Sequence, residues 1–550
     1  MTDGHLTDRH LTEPLLAISG LSIGLPVGAD RARAVDDIAL TIARDEVLCV
    51  VGESGSGKSL TAHAVLGLVP KGLAVTGSIR FEGRELLGMA EAERRRLRGS
   101  RMAMIFQEPM AALNPVMRIG DQIGEVFRFH GRADRDGQRT LALLEAVGLP
   151  DPALIRHARP FQLSGGQRQR AMIAMALALD PVLLIADEPT TALDVTTQAQ
   201  ILALLRSIQA ARSMAVMLIT HDIGVVREMA DRVAVMQEGR VVETGVADEV
   251  LRRPQHPYTR RLLAAVPRLQ PRPDRSAELG DTILEGRGIA KSFGGRGGLF
   301  RPARRVQAVA GVDLTLRRGE ALGIVGESGS GKSTLARLIV RLIDADAGTL
   351  TLSGLDGNLL KLGRGRLAPV RRRVQMVFQD PWGSLNPRRR VHEIVAQGLL
   401  AHGVDRRTAR ARVDELLALV ALDPSAAERF PNEFSGGQRQ RIGLARALAL
   451  EPELLVADEP VSALDVSVQA QVLELLADIQ RKLRLSILFI THDLRVASQV
   501  CDRIAVMRRG VVVETGPVAE VLFRPRHEYT RLLLASVPGR EGEGEGAAGV

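Results

Sequence analysis

Val51-Gly52-Glu53-Ser54-Gly55-Ser56-Gly57-Lys58-Ser59 breaks the apolar run Val47 to Val51 with a glycine-rich turn that ends in lysine and serine. Glycines at 52, 55 and 57 let the backbone curl so that successive N–H groups face phosphate oxygens, and a helix starting near Lys58 adds its positive dipole end. Lys58 then reaches the β- and γ-phosphates of a bound nucleotide, and Ser59 holds Mg²⁺. The run recurs as Gly326-Glu327-Ser328-Gly329-Ser330-Gly331-Lys332-Ser333, again behind an apolar stretch, Ala321 to Val325. One match is compatible with a chance turn; the repetition is not.

Further repeats extend outward from both loops. Upstream of the first, Leu16, Ile18, Leu21 and Ile23, then Val35, Ile38, Leu40 and Ile42, read as antiparallel strands leading into the loop strand. Downstream, the apolar strand Arg101 to Phe106 delivers Gln107, and Met376 to Phe378 delivers Gln379. A glutamine at a strand end presents its amide oxygen to a metal or an attacking water. Residues 111–159 are apolar at helical spacing and predict an inserted helical subdomain. Ser164-Gly165-Gly166-Gln167, twinned by Ser435-Gly436-Gly437-Gln438, precedes a helix over Arg168 to Leu179. The serine is an N-cap, and the glycines leave the first helical N–H groups open to an anion.

Buried-type strands then end in acid pairs, Asp187-Glu188 and Asp458-Glu459. Neighbouring residues on a strand point to opposite faces, so Asp187 and Asp458 orient Mg²⁺ while Glu188 and Glu459 polarise a water. Ala192-Leu193-Asp194 and Ala463-Leu464-Asp465 follow, then strands ending in His221 and His492. Each half closes with a strand-turn-strand pattern and a further repeat, His256-Pro257-Tyr258-Thr259 and His527-Glu528-Tyr529-Thr530, which holds both tyrosines of the chain.

Composition sets outer bounds. A chain of 550 residues exceeds one core and suits a duplication. No apolar run is long enough to span a bilayer and the first residues carry no secretory signal, so the expected location is cytoplasmic. Two cysteines, Cys49 and Cys501, are too few for a zinc or cluster site and read as buried thiols. The net charge of +9 comes from arginine spread along the whole chain, so it is weak support for a nucleic-acid partner, and none is expected. Residues 1–13, with His5 and His10, and residues 539–550 read as disordered tails; 268–281, rich in proline, reads as a semi-extended linker.

The order of loop, glutamine, signature, acid pair, D-loop and histidine resembles the ATP-binding subunit of ATP-binding cassette transporters, twice over nearly the whole chain. The His-x-Tyr-Thr segments resemble the peptide and nickel uptake branch, and the chain resembles a fusion of that branch's two ATPase subunits. The resemblance implies an α/β fold of two tandem P-loop NTPase cassettes, each a RecA-like core with an antiparallel β subdomain and a helical subdomain, at 14–267 and 282–538. It implies ATP and Mg²⁺ as cofactors, with Glu188 and Glu459 as general bases and His221 and His492 contacting the γ-phosphate. In the family, cassettes pair head to tail. Lys58, Ser59, Gln107, Asp187, Glu188 and His221 then share one ATP with Ser435, Gly436, Gly437 and Gln438. Lys332, Ser333, Gln379, Asp458, Glu459 and His492 share the other with Ser164, Gly165, Gly166 and Gln167.

Two departures are visible. Phe293 fits the aromatic residue that the family stacks on adenine, but Leu25 stands there in the first half, and Glu528 replaces the proline of the terminal segment. The implied partners are two integral-membrane permeases and, through them, an extracytoplasmic solute-binding protein, with the chain peripheral on the cytoplasmic face. Di- or oligopeptides lead as cargo, followed by nickel and glutathione-like peptides. The main alternative, a ribosome-associated translation factor, calls for a long charged helical arm where this chain has a short proline-rich linker. A fused sugar-importer ATPase would lack the His-x-Tyr-Thr segments, and a nucleotide-gated scaffold would leave Glu188 and Glu459 idle.

Overall fold

The computed structural model describes residues 13–26, 28–132, 134, 137–191, 193–294, 305–462 and 464–538. The tails at 1–12, with His5 and His10, and at 539–550 lie outside the described residues, as do the D-loop alanines Ala192 and Ala463. The chain forms two compact units, one chiefly of residues up to 265 and the other chiefly of 266–536.

The first unit is built on a six-stranded sheet in the order Arg240–Val246, Arg232–Gln237, Val47–Val51, Ala215–Thr220, Leu183–Asp187, Met102–Ile105. All neighbours run parallel except the outermost pair, Arg240–Val246 with Arg232–Gln237. Every residue of Val47–Val51, Leu183–Asp187 and Ala215–Thr220 is buried. A sheet covered on both faces needs unbroken apolar strands, which is why these segments lack alternation. Each fully buried Val, Leu or Ile contributes about 1.5–3 kcal/mol relative to exposure. The second unit repeats the sheet with Val374–Val377, Leu454–Asp458, Ser486–Thr491, Ala321–Val325, Arg503–Arg508 and Val511–Pro517.

Strand register places the chemistry. Val51 pairs with Thr220, Asp187 with Ile219 and Ile105 with Ala186. The segments that leave these strand ends therefore emerge side by side at the carboxyl edge of the sheet, carrying Gly52, His221, Glu188 and Gln107. In the second unit Val325 pairs with Thr491, Asp458 with Ile490 and Val377 with Ala457, to the same effect.

A smaller antiparallel sheet lies in each unit. In the first, Leu16–Gly24 pairs with Arg33–Ile42 on one side and Val75–Phe81 on the other. The buried residues Leu16, Ile18, Leu21 and Ile23 shift register between Ile18 and Leu21 at a bulge, where Gly20 has φ 60°. Their inner face joins the helix Lys58–Val65 in one core. In the second unit Thr282–Phe293, Val306–Arg317 and Ala347–Leu352 form the corresponding sheet. The expected helical insertion is Ile119–Phe129, Gln138–Ala146 and Pro152–His157 in the first unit.

The segment between the halves has no regular element apart from a short turn at Ser276–Glu278, and it is anchored. Arg272 donates to Gln480 Oε1 at 3.2 Å and to the Val500 carbonyl, with Asp502 at 3.4 Å, all within the second unit.

Cys49 and Cys501 are fully buried, and burial pushes both thiols far above their ordinary range. The native protein should therefore give no reaction with a soluble aromatic disulfide, and two thiols should react after denaturation. A thiol that reacts in the native state would contradict this packing.

Candidate nucleotide site

The loop after Val47–Val51 enters the helix Lys58–Val65 through Gly57. Gly52 has φ 154°, and a Cβ there would lie 2.1 Å from the Met236 carbonyl oxygen, so no other residue fits. Gly326 repeats this at 2.2 Å from the Met507 carbonyl. Lys58 is buried, and its Nζ donates to the carbonyls of Gly52 and Glu53, both at 2.8 Å, and to Ser56 Oγ at 3.4 Å. Lys332 does the same with Gly326 and Glu327, both at 2.7 Å. The expectation of a lysine extended toward phosphate is thus refined: the ammonium rests on the carbonyls of its own loop. Burial lowers the pKa of Lys332, while the Glu459 and Asp458 carboxylates pull the other way.

Ser59 Oγ donates to Asp187 Oδ1 at 3.0 Å, and Ser333 Oγ to Asp458 Oδ1 at 2.9 Å. Burial raises the pKa of both aspartates against the pull of these hydroxyls, and the adjacent glutamate adds to the rise. A hydroxyl and a carboxylate oxygen side by side next to a phosphate loop are the hard oxygen donors Mg²⁺ takes when phosphates complete its shell. Among the described residues no group of three or more His, Cys, Asp or Glu makes a self-sufficient metal site.

The next residue turns the other way. Glu188 has φ 46° and Glu459 φ 45°, left-handed backbone that sharply redirects the chain after the strand. Glu188 Oε1 faces His221 Nδ1 at 3.2 Å, while its Oε2 accepts from Gln107 Nε2 at 2.9 Å and Thr191 Oγ1 at 2.8 Å. Burial would raise its pKa, but His221, Thr191 and Lys58 outweigh burial and hold it at about 2. Glu459 faces His492 Nδ1 at 3.4 Å and accepts from Gln379 Nε2 at 2.9 Å. Its pKa is likewise lowered, burial being outweighed by His492 and Lys332. Both glutamates are therefore carboxylates at neutral pH. The glutamines, expected to serve the metal, place their amide nitrogens on these glutamates, and the histidines rest on the same carboxylates.

Each histidine is fixed by its two sequence neighbours. Thr220 Oγ1 accepts the Asp222 N–H at 3.0 Å, and Asp222 caps the helix Ile223–Met229 through the Gly224 N–H at 2.8 Å. Asp493 and Thr491 repeat the device.

The signature serines cap their helices as expected. Ser164 Oγ accepts the Gln167 N–H, and Gln167 Oε1 accepts the Ser164 N–H, a reciprocal capping box repeated at Ser435 and Gln438. The helices span Gly165–Ala176 and Gly436–Leu448, so the glycines lie inside the first turn and the first helix ends before Leu179. Only one glycine of each pair is open. A Cβ on Gly166 would meet Thr197 Cγ2 at 2.6 Å, and one on Gly437 would meet Val468 Cγ1 at 2.2 Å. The second glycine serves close helix packing as well as any anion.

Phe293 ends its strand half exposed, with Lys291 Nζ 5.7 Å from the ring centroid. Leu25 comes directly after the corresponding strand in the first unit, where Arg31 donates to the Gly55 carbonyl and lines a cleft with Arg33, Asp36, Gln237 and His256. Sequence reading missed Arg31, and it missed that Tyr258 and Tyr529 touch the phosphate loops. The repetition of the terminal segment was the available signal for the tyrosines; Arg31 has no counterpart signal.

The family described as "ABC transporter" matches residues 35–191 and 309–462. "Oligopeptide/dipeptide transporter, C-terminal region" matches residues 242–295 and 513–547. The peptidoglycan transport ATP-binding protein YejF of Agrobacterium fabrum is 48% identical over 538 residues, covering 96% of each chain. The glutathione import ATP-binding protein GsiA of Salmonella choleraesuis is 45% identical over 567 residues, covering 97% of this chain and 91% of its own. GsiA of Escherichia coli K12 is 45% identical over 562 residues, covering 96% and 90%.

His492 is half-buried, and desolvation lowers its pKa, but the hydrogen bond and charge of Glu459, helped by Asp493, outweigh this and raise it above 6.5. In ¹³C-histidine NMR spectra, the His492 resonance should titrate above the ordinary value and drop below it in Glu459→Gln. By linkage, the stability this histidine gains is full below its unfolded value and is lost as pH rises through its raised one. A His492 that titrates at its ordinary value in both proteins would contradict the pairing.

Proposed function

The chain belongs to the ABC transporter family, and on that premise we propose that it is the energy-coupling subunit of an importer for small peptides, with both ATP sites on one polypeptide. The observation that carries the reading is the coexistence, twice over, of an ABC transporter match and a terminal segment of the oligopeptide/dipeptide transporter type. The family's cassettes are ATPases, so ATP binding and hydrolysis are this chain's chemistry. Relatives named for peptidoglycan transport and glutathione import support a cargo with peptide character, glutathione being a tripeptide.

In this reading the residues of each site take the following roles. The loop N–H groups with Lys58 or Lys332 hold the phosphates. Ser59 with Asp187, and Ser333 with Asp458, would hold Mg²⁺, which neutralises phosphate charge when bound. Glu188 and Glu459, already ionised, accept the proton of the attacking water, and Gln107 and Gln379 orient them. His221 and His492, now on the glutamates, contact the γ-phosphate in this reading. Ser164 to Gln167 and Ser435 to Gln438 supply the second anion-binding element. Phe293 stacks on adenine at one site, and Leu25 makes a looser seat at the other.

In this reading two membrane permeases and an external solute-binding protein select the cargo, and the chain works peripherally on the cytoplasmic face. Among the described residues no helix is long and apolar enough to cross a membrane. The ribosome-associated alternative finds no support in the relatives or in the terminal segments.

The double variant Glu188→Gln, Glu459→Gln should lose about 10²–10⁴-fold in ATP hydrolysis, the worth of a general base, while still binding ATP. Pulled down with ATP from detergent-solubilised cells, it should bring two multi-span permeases identifiable by mass spectrometry. Ribosomal proteins without permeases would overturn the importer reading.

A further inference from the structure

Tyr258 lies 205 residues after Glu53, yet its phenol oxygen accepts the Glu53 backbone N–H at 3.1 Å. Tyr529 accepts the Glu327 N–H at 3.2 Å. Both rings are buried. Each begins a helix, Pro257–Ala264 or Glu528–Ala535, whose N-cap histidine takes the tyrosine's own N–H on Nδ1, at 3.2 Å for His256 and 3.0 Å for His527. The turn before it is held by one carboxylate of the sheet's edge strand. Glu243 accepts the N–H groups of Gln255 at 2.7 Å and His256 at 3.0 Å, and Glu514 accepts those of Arg526 and His527 at 2.8 and 3.1 Å. A rigid path thus runs from the edge strand through histidine and tyrosine to the phosphate loop.

The path ends on a particular peptide unit. The Glu53 N–H and the Gly52 carbonyl are the two ends of one planar group. Tyr258 holds the first end, and Lys58 Nζ donates to the second at 2.8 Å. The peptide between Gly326 and Glu327 is held by Tyr529 and Lys332 in the same way. We propose that Tyr258 and Tyr529 are positioning residues for ATP: each hydroxyl fixes the plane of the peptide whose other end seats the loop lysine, so the terminal segment sets that loop's affinity for the nucleotide's phosphates. Burial, with opposing pulls from the Glu327 N–H and carboxylate, raises the Tyr529 phenol to about 12, so its oxygen accepts as a neutral phenol across the working pH range. Arg508 packs 4.7 Å from the Tyr529 ring centroid, which keeps the ring seated when only the hydroxyl is removed.

This rests on the reading of the loops as ATP sites, and Lys58→Ala, Lys332→Ala tests that reading alone: if it binds ATP with parental affinity, the reading fails whatever the tyrosines do. The inference is tested with Tyr258→Phe, Tyr529→Phe in the full chain, by equilibrium ATP binding, steady-state hydrolysis and thermal unfolding. Loss of the hydroxyl's hydrogen bonds, which at Tyr529 include the Glu327 side chain as well as its N–H, predicts a Kd and KM for ATP raised about three- to tenfold, with kcat within about twofold and an unchanged unfolding midpoint. His256→Ala should weaken ATP binding similarly and add nothing to Tyr258→Phe. Unchanged affinity in the phenylalanine variant overturns the inference. So does a loss of affinity that comes with a matching fall in the unfolding midpoint, which would make the segment a structural staple only.

Discussion

An ammonium group taken out of water must be given oxygen partners or lose its proton, and the architecture around Lys58 and Lys332 answers that requirement. Both side chains are buried and held by two carbonyls and a serine hydroxyl of their own loop. Those carbonyls point inward only because Gly52 and Gly326 pass within a Cβ's reach of the neighbouring strand. The acid pairs, two strands along the sheet, then meet a fixed positive charge. Asp187 and Asp458 take the serine hydroxyl, and Glu188 and Glu459 take the histidine. A binding site for a polyanion is assembled in advance from groups that each satisfy one another.

The two cassettes differ where their common frame leaves room. Thr191 hydrogen-bonds the Glu188 carboxylate and Ser462 the Glu459 carboxylate, and Ser462 also reaches the Glu459 backbone carbonyl at 3.2 Å. Arg508 covers one tyrosine ring, and the neighbouring strand of the first unit carries Gln237 at its end. Leu25 follows and Phe293 ends the equivalent strands, with unequal means of holding a flat ring. These differences sit at the rim of each site, while the strand-end residues are the same.

Features set by local pattern were legible in the chain itself. Five-residue apolar runs before glycine or acid marked the central strands, and a capping serine before two glycines marked the signature helices. Even the bulge in the first antiparallel sheet is written in the three-residue step from Ile18 to Leu21. The features that escaped notice depend on residues far apart in sequence. Nothing near Tyr258 announces Glu53, nothing near Gly166 announces Thr197, and the proline-rich segment does not advertise that Arg272 will be tied to Gln480 and Val500. The amide end that Gln107 gives to Glu188 is likewise decided by the other side of the site. Spacing says which groups meet an edge; only packing says which partners they take there.

The left-handed backbone at Glu188 and Glu459 has a consequence of its own. A non-glycine residue in that region costs on the order of 1–3 kcal/mol, which a glycine would relieve at the loss of the carboxylate. Selection for thermal robustness alone would therefore erode both positions toward glycine, so a stabilised descendant of this chain is most exposed to losing turnover at the very residues whose geometry it would find easiest to relax.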